Sequence, residues 1–159
     1  MNSDTNALSS SPENSTVNQI LTADWFDRGR INTKYLSNET RVQIGKELLN
    51  LQQRIIDEAV SKEGNTLSAK NKAVGLFYAF VENRTGLKRA TARSFMTIAN
   101  RFSNRPDIIR FLRWRDIAIL VSHDDATVDA AINEKLENPE MTDIEFGKSL
   151  APLRPRASK

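Results

Sequence analysis

The chain contains no cysteine and a single histidine, His123, among its 159 residues. The absence of cysteine excludes disulfides, thiolate nucleophiles and cysteine-ligated zinc. One histidine cannot form a metal-binding cluster, and its neighbours Asp124 and Asp125 are typical of a helix-capping sequence. We therefore expect no catalytic residue, no metal and no cofactor, and we predict that the protein is not an enzyme.

Long apolar runs are also missing. No stretch approaches the roughly 18 apolar residues of a membrane span, and the Ser-, Asn- and Thr-rich N-terminus has no basic region followed by an apolar one. The sequence therefore predicts a cytoplasmic protein without a membrane partner. Aromatic residues make up only 7% of the chain. Trp25 and Trp114 are isolated, so we interpret them as core or interface residues, and we infer no small-molecule ligand.

Composition and periodicity divide the chain into five parts. No strand-like alternation appears between turn signals, so the predicted fold class is all-α, a helix-turn-helix core flanked by a long N-terminal helix and a C-terminal helical layer. The predicted parts are a disordered tail (1–17), a clasp and long helix (18–62), a helix-turn-helix core (63–105), a C-terminal helical layer (106–150) and a basic flexible tail (151–159).

The long helix is expected from about Asn38 to Lys62, with Ser37 before it. Apolar residues recur along it at spacings of four, three and four, namely Ile44, Leu48, Leu51 and Ile55. This stripe could pair with a second copy of the chain, or it could pack on the rest of the same domain. Two heptads are fewer than a coiled coil normally uses, so the periodicity favours packing within the domain.

Five further helices follow from apolar spacing, caps and breakers. The first begins near Leu67 and ends before Gly86, which can take the positive φ of a tight turn. The others are expected from Lys88 to Phe102, from Asp107 as a cap through Val121, from Asp124 or Asp125 to Glu137, and from a Thr142 and Glu145 capping box to Leu150.

Basic residues are concentrated around this predicted turn. Between Arg84 and Arg115 the chain has nine basic residues and one acidic residue, a net charge of +8, whereas the whole chain carries only +3. The remaining chain is therefore net acidic. Lysine and arginine concentrated on one helix are expected of a nucleic-acid binder, because each neutralised phosphate releases condensed counterions.

The helix after the turn has an outward face made of hydrogen-bond donors. At 100° per residue, Arg93, Thr97 and Arg101 form a line, with Arg89 and Asn100 on one side and Ser94 on the other. Residues near the start of a recognition helix usually contact bases, which favours Arg89, Arg93 and Thr97 for base readout. The predicted phosphate contacts are Arg84, Lys88, Ser94, Asn100 and Arg101.

Two features qualify the helix-turn-helix interpretation. Glu82 stands where the motif normally has a small residue, so the turn is longer or the crossing wider than in repressors. Further arginines follow the motif on different helix faces, at Arg105, Arg110, Arg113 and Arg115. The acidic stretch from Asp116 to Leu150 can supply ion-pair partners for them, or can form a separate surface that DNA repels.

The segment from Gly75 to Phe102 resembles a phage and mobile-element family of unknown function, with a pattern of roughly G-x-F-x-x-W, a short spacer, then G-x-S-x-R-T-A-x-x-Y-M-x-I-A. Comparable places are held by Phe77, Phe80, Gly86, Arg89, Ala92, Phe95, Met96, Ile98 and Ala99, with Phe80 where the family has Trp. The segment from Leu112 onward is similar to the helical layer of ParB- and KorB-type plasmid partition and repressor proteins. Both resemblances imply DNA maintenance or transcription control in bacteria.

Three hypotheses of different classes stay open. The first is a sequence-specific double-stranded DNA-binding regulator of a plasmid or phage, acting as a homodimer because one short recognition helix gives limited affinity. The second is a DNA-recognition subunit similar to a phage small terminase. The third is a helical adaptor or inhibitor whose basic face binds an acidic protein instead of DNA. A dimer in light scattering favours the first, and a ring of eight or more favours the second.

Overall fold

The computed structural model describes residues 29–154, and this range is all-α, with seven α-helices, two short 3-10 helices and no strand. The predicted disordered tail, the clasp around Trp25 and the last five residues lie outside it. A 3-10 helix at Thr33–Tyr35 precedes the α-helices. These are α1 (Asn38–Glu63), α2 (Leu67–Thr85), α3 (Arg89–Phe102), α4 (Pro106–Phe111), α5 (Trp114–Leu120), α6 (Asp125–Glu137) and α7 (Asp143–Ser149), followed by a 3-10 helix at Ala151–Leu153.

Helix α1 is the longest element and begins where the sequence predicts. The Ser37 side chain accepts a hydrogen bond from the Thr40 amide and caps the helix. The four residues of its apolar stripe are 9% exposed or less, Ile44, Leu48, Leu51 and Ile55. They pack against α2 and α3 of the same chain. The stripe is therefore not free to pair with a second copy of the chain, because its apolar surface is already buried within one chain.

Helices α1 and α3 cross in very close contact at Gly45. A Cβ atom built on Gly45 would overlap the Phe95 carbonyl oxygen and lie 2.7 Å from the Phe95 carbonyl carbon and 2.8 Å from the Ala99 Cβ. These distances are shorter than van der Waals contact, so only glycine lets the two helices approach this closely. The backbone of α3 is thereby held directly against α1.

Two apolar cores flank α3. On one side Ala92, Phe95 and Met96 pack against α1 and α2. On the other side Ile98 and Phe102 pack into a second core formed with α4 to α7, whose fully buried members include Ile108, Ile117, Leu120, Val128 and Phe146. Since each core covers part of its circumference, α3 keeps only one narrow exposed arc.

One predicted helix proves to be two. The sequence predicts a continuous helix from Asp107 through Val121, but the chain is extended at Leu112 and separates α4 from α5. The Asn38 side-chain amide donates to the carbonyls of Ile109 at 3.0 Å and Leu112 at 2.7 Å. These bonds come from a residue more than seventy positions away, so no local signal marks the break. The proposed Asp107 cap is also wrong, because Arg105 is the N-cap of α4.

The C-terminal helices begin as predicted. Asp124 caps α6, and Thr142 with Glu145 forms the complete capping box of α7. The first residues of the predicted flexible tail are ordered, because Ala151–Leu153 forms a 3-10 helix. Its Leu153 carbonyl lies 2.8 Å from the His123 Nε2 atom, and this hydrogen bond attaches it to the end of α5.

The close contact at Gly45 predicts an unusual response to alanine. Gly45→Ala should lose roughly 1–3 kcal/mol of unfolding free energy, because the added methyl overlaps backbone atoms that cannot move independently. Gly75→Ala is the control: this helical glycine has nothing within 4 Å of its built Cβ, so it should gain roughly 0.5–1 kcal/mol. Urea titrations followed by circular dichroism measure both. A Gly45→Ala protein as stable as the wild type would refute the contact.

Candidate nucleic-acid interface

The connection between α2 and α3 is built around Gly86. Gly86 ends α2 with a φ of 81°, a left-handed conformation that favours glycine. The buried Thr85 hydroxyl donates to the Val81 carbonyl at 2.7 Å and accepts from the Leu87 amide at 3.1 Å. Leu87 is 3% exposed and fills the corner between the helices. Three residues, 86–88, therefore join α2 to α3 in a fixed turn.

The segment before α1, residues 29–37, crosses this turn. The Ile31 amide donates to the Thr85 carbonyl at 2.9 Å. The Arg30 guanidinium lies directly over Gly86, where a Cβ atom would contact its Nη1 atom. Arg30 thus adds a positive charge beside Arg84 and Lys88, which are both exposed.

The exposed arc of α3 contains most of the residues that the sequence assigns to it. Arg89, Arg93, Thr97 and Asn100 are exposed, and Ser94 is half-buried. Asn100 lies at the edge of the arc, in a hollow shared with Gln43 and Lys46 of α1. No acidic residue occurs between Asn83 and Pro106. Within residues 29–154, none of these α3 side chains forms an ion pair with an acid.

Arg101 has a different place from the one predicted. Its guanidinium donates to the carbonyls of Leu120 and Val121 at the end of α5, and it lies 3.0 Å from an Asp125 carboxylate oxygen at the start of α6. Arg101 is about 80° around the helix from Arg93, which directs it toward α5. This corrects its assignment as a phosphate contact, because its hydrogen-bonding groups connect three helices of the fold.

The basic residues after α3 are mostly paired with acids. Arg105 lies 3.0 Å from both Asp107 and Asp129. Arg113 lies 2.9 Å from Asp116, which is fully buried. Arg110 pairs weakly with Glu39, at 4.0 Å. The prediction that the acidic segment neutralises part of this basic stretch is confirmed for Arg105 and Arg113.

Hydrogen bonds in these ion pairs, and in a further pair between Lys135 and Asp143 at 2.7 Å, shift the pKa values of the carboxylates. The hydrogen bond from Arg105 lowers the pKa of Asp107, and the hydrogen bond from Lys135 lowers the pKa of Asp143. Asp107 raises the pKa of Arg105 in return. These carboxylates therefore stay charged well below neutral pH, and the positive charge of Arg105 remains neutralised within the fold.

The chain matches no known family model, no curated protein and no solved structure. The resemblances to the phage family and to ParB- and KorB-type proteins therefore stay predictions from the sequence. Within residues 29–154 no group of three or more His, Asp and Glu side chains is arranged to hold a metal ion. None of the helices in that range is long and apolar enough to cross a membrane.

Sequence reasoning missed several residues next to the arc. The Arg89 guanidinium stacks over the Tyr78 ring of α2, 4.5 Å from its centroid. Arg41 of α1 donates to the Thr33 carbonyl at 2.8 Å and lies 5.3 Å from the Trp114 ring centroid, and burial lowers its pKa. These contacts join distant parts of the chain, so no local pattern could have revealed them.

The contacts of Arg101 predict a structural role. Arg101→Met keeps most of the side-chain stem but leaves the Val121 carbonyl and Asp125 without the Arg101 donor, while the Leu120 carbonyl keeps only the hydrogen bond from the His123 amide. The unfolding free energy should therefore fall by about 1–3 kcal/mol. Arg93→Met, on the exposed arc of the same helix, should change it by less than about 0.5 kcal/mol. Urea titration of the pair provides the comparison. Equal stabilities of the two variants would contradict a structural role for Arg101 and would favour a solvent-facing side chain.

Proposed function

We propose that the protein is a sequence-specific double-stranded DNA-binding regulator of a bacterial plasmid or phage. In this proposal α2, the 86–88 turn and α3 act as a helix-turn-helix, and α3 is the recognition helix in the major groove. Arg89, Arg93 and Thr97 contact base edges, where arginine can bind guanine through two hydrogen bonds. The surrounding donors at Arg84, Lys88, Ser94 and Asn100 contact phosphates.

One observation carries this proposal: four exposed cations of the basic stretch, Arg84, Lys88, Arg89 and Arg93, lie on the arc and the turn before it, and none of them forms an ion pair among the described residues. Of the later cations of the stretch, Arg115 on α5 is also exposed. Arg101, Arg105 and Arg113 are held by groups of the fold. Arg89 and Arg93 are exposed without an acidic partner among the described residues. Since an unneutralised arginine retains its attraction for phosphate, this separation gives α3 the positive field that DNA binding requires.

The start of α3 adds further donors. Its N-cap, Lys88, makes no side-chain capping hydrogen bond, so the amides of the first turn keep their capacity to donate. Such amides, together with the positive end of the helix dipole, favour phosphate binding. The stacked contact between Arg89 and Tyr78 restricts one guanidinium beside this turn. The first turn of α3 therefore suits a position next to the DNA backbone.

A homodimer is part of the proposal, because paired half-sites supply the affinity that a single short helix lacks. Since the apolar stripe of α1 is buried within the chain, another surface must hold the two copies together.

Removing Arg93 should reduce sequence preference. For the duplex that the wild type enriches from a random library, Arg93→Ala should lose about 1–3 kcal/mol more binding free energy than for random DNA. Fluorescence anisotropy at fixed salt measures both affinities. Arg110→Ala is the matched control, because it removes the same charge from a side chain that is 71% exposed on α4. It should leave the preference unchanged.

Equal losses of binding free energy for the preferred duplex and for random DNA would mean that Arg93 contacts a phosphate and not a base. Failure of the wild type to enrich any sequence would contradict sequence-specific binding, and binding of an acidic protein would then be the favoured function of the arc.

Lys88 should instead act through charge alone. Lys88→Ala should lower the slope of log affinity against log salt by about one unit and leave the sequence preference intact, because one fewer counterion is released. Lys72→Ala, at an exposed position in the N-terminal half of α2, provides the control and should leave the slope unchanged. Anisotropy titrations over a salt series determine the slopes, and an unchanged slope for Lys88→Ala would place it outside the interface.

A further inference from the structure

A groove runs between α3 and α5 beside the exposed arc. Its volume is about 550 Å³, within the range of small-molecule sites. Ile98, Ala118 and Val121 form an apolar floor, and Arg93, Ser94 and Thr97 form the wall on α3. Arg89 and Ala90, at the start of α3, also line it.

A second hollow adjoins this groove on the side toward α1. Ala90 and Ser94 line both hollows, and the second is also lined by Arg41 and Trp114. The Trp114 and Phe95 rings pack edge-to-face at a centroid distance of 5.5 Å. The two adjoining hollows are together called the channel; an arginine of α3 lines the first hollow, and an arginine of α1 lines the second.

The charged side chains that line the channel are all positive. No carboxylate lines either hollow, and Arg93 has no acidic partner within residues 29–154. The hydroxyls of Ser94 and Thr97 can donate hydrogen bonds to the same ligand group as Arg93. By contrast, a hollow in the C-terminal layer is lined by Glu137, Glu140 and Glu145. The channel beside α3 combines an apolar floor with positive charge that no acid neutralises among the described residues.

We propose that this channel binds a small amphipathic organic anion. The acid group of the ligand, a carboxylate, sulfonate or phosphate, pairs with Arg93 and accepts hydrogen bonds from Ser94 and Thr97. Its hydrocarbon body lies over Ile98, Ala118 and Val121 and removes the apolar surface of Ala118 and Val121 from water. Charge complementarity excludes cationic ligands, and the apolar floor favours an organic anion over a free inorganic ion.

The position of the channel also gives the ligand a regulatory effect. Arg93 and Thr97 line the channel and belong to the proposed base-reading arc, so the ligand and DNA compete for the same two side chains. The competition between ligand and DNA rests on the proposed function, whereas the binding of the ligand to the channel does not. Each ligand lowers the apparent affinity for the other, and an anion of this kind releases the protein from DNA.

The probe for this site is 8-anilinonaphthalene-1-sulfonate, an aromatic sulfonate that becomes fluorescent in apolar surroundings. Titration into the full chain should saturate, and Ala118→Asp should weaken binding by about tenfold because it places a carboxylate opposite Arg93. Ala130→Asp makes the same change at an exposed alanine of α6 outside the channel and should bind as the wild type does. Circular dichroism verifies that both variants are folded.

Equal probe affinity for the two variants would overturn the proposal, because the probe would then bind elsewhere, for example at the exposed Phe111, Leu136 or Ile144. Displacement of the probe by the preferred duplex supports competition, and simultaneous binding of duplex and probe overturns it. Probe binding that depends on Ala118, in a protein that binds no duplex, supports the channel and contradicts the proposed function.

Discussion

The close crossing of α1 and α3 at Gly45 is the contact on which the rest of the structure depends. Because Gly45 has no side chain, the backbone of α3 approaches α1 at Phe95 and Ala99. That approach fixes which side of α3 is buried. The C-terminal layer then covers the adjacent side through Ile98 and Phe102. What remains exposed is one arc of a helix held on two sides, and a rigidly held helix is well suited to recognition because little order is lost on binding.

The second constraint is the distribution of positive charge around this helix. Arg101 binds the end of α5 and the start of α6, while Arg105 and Arg113 pair with Asp129 and Asp116. Arg101 and Arg105 join α6 to α3 and to the residues just after it, whereas the Arg113 pair lies within the C-terminal layer, and all three charges are neutralised within the fold. Arg89 and Arg93 lack such partners among the described residues, so they retain their attraction for an anionic ligand. The net charge of +8 between Arg84 and Arg115 therefore overstates the surface that a nucleic acid would encounter.

Local signals predicted much of the fold. Caps such as Ser37 and Thr142, the positive φ at Gly86 and the apolar spacing of α1 depend on residues within one or two turns, and all occur where expected. The break at Leu112 was missed because its carbonyl is satisfied by Asn38, a contact between distant parts of the chain. The role of Gly45 was also missed, since a helical glycine gives no sign of what packs against it.

In the candidate site, too, local patterns predicted some features, and contacts between distant parts of the chain determined the rest. Periodicity places Arg89, Arg93, Thr97 and Asn100 on one face, and they are exposed there. It places Arg101 in line with Arg93 and Thr97 as well, but periodicity carries no information about the end of α5, which lies beside Arg101. Likewise the channel between α3 and α5 has no sequence signature, because its walls come from helices joined only by tertiary packing.

The central claim, that the arc of α3 is the DNA-binding surface, is tested most directly by mapping amide chemical shifts of the isotopically labelled chain during titration with its preferred duplex. The largest changes should fall on the 86–88 turn and on Arg89, Arg93 and Thr97, with α6 and α7 nearly unchanged. Changes centred on α6 and α7, or no changes at saturating duplex concentration, would contradict it.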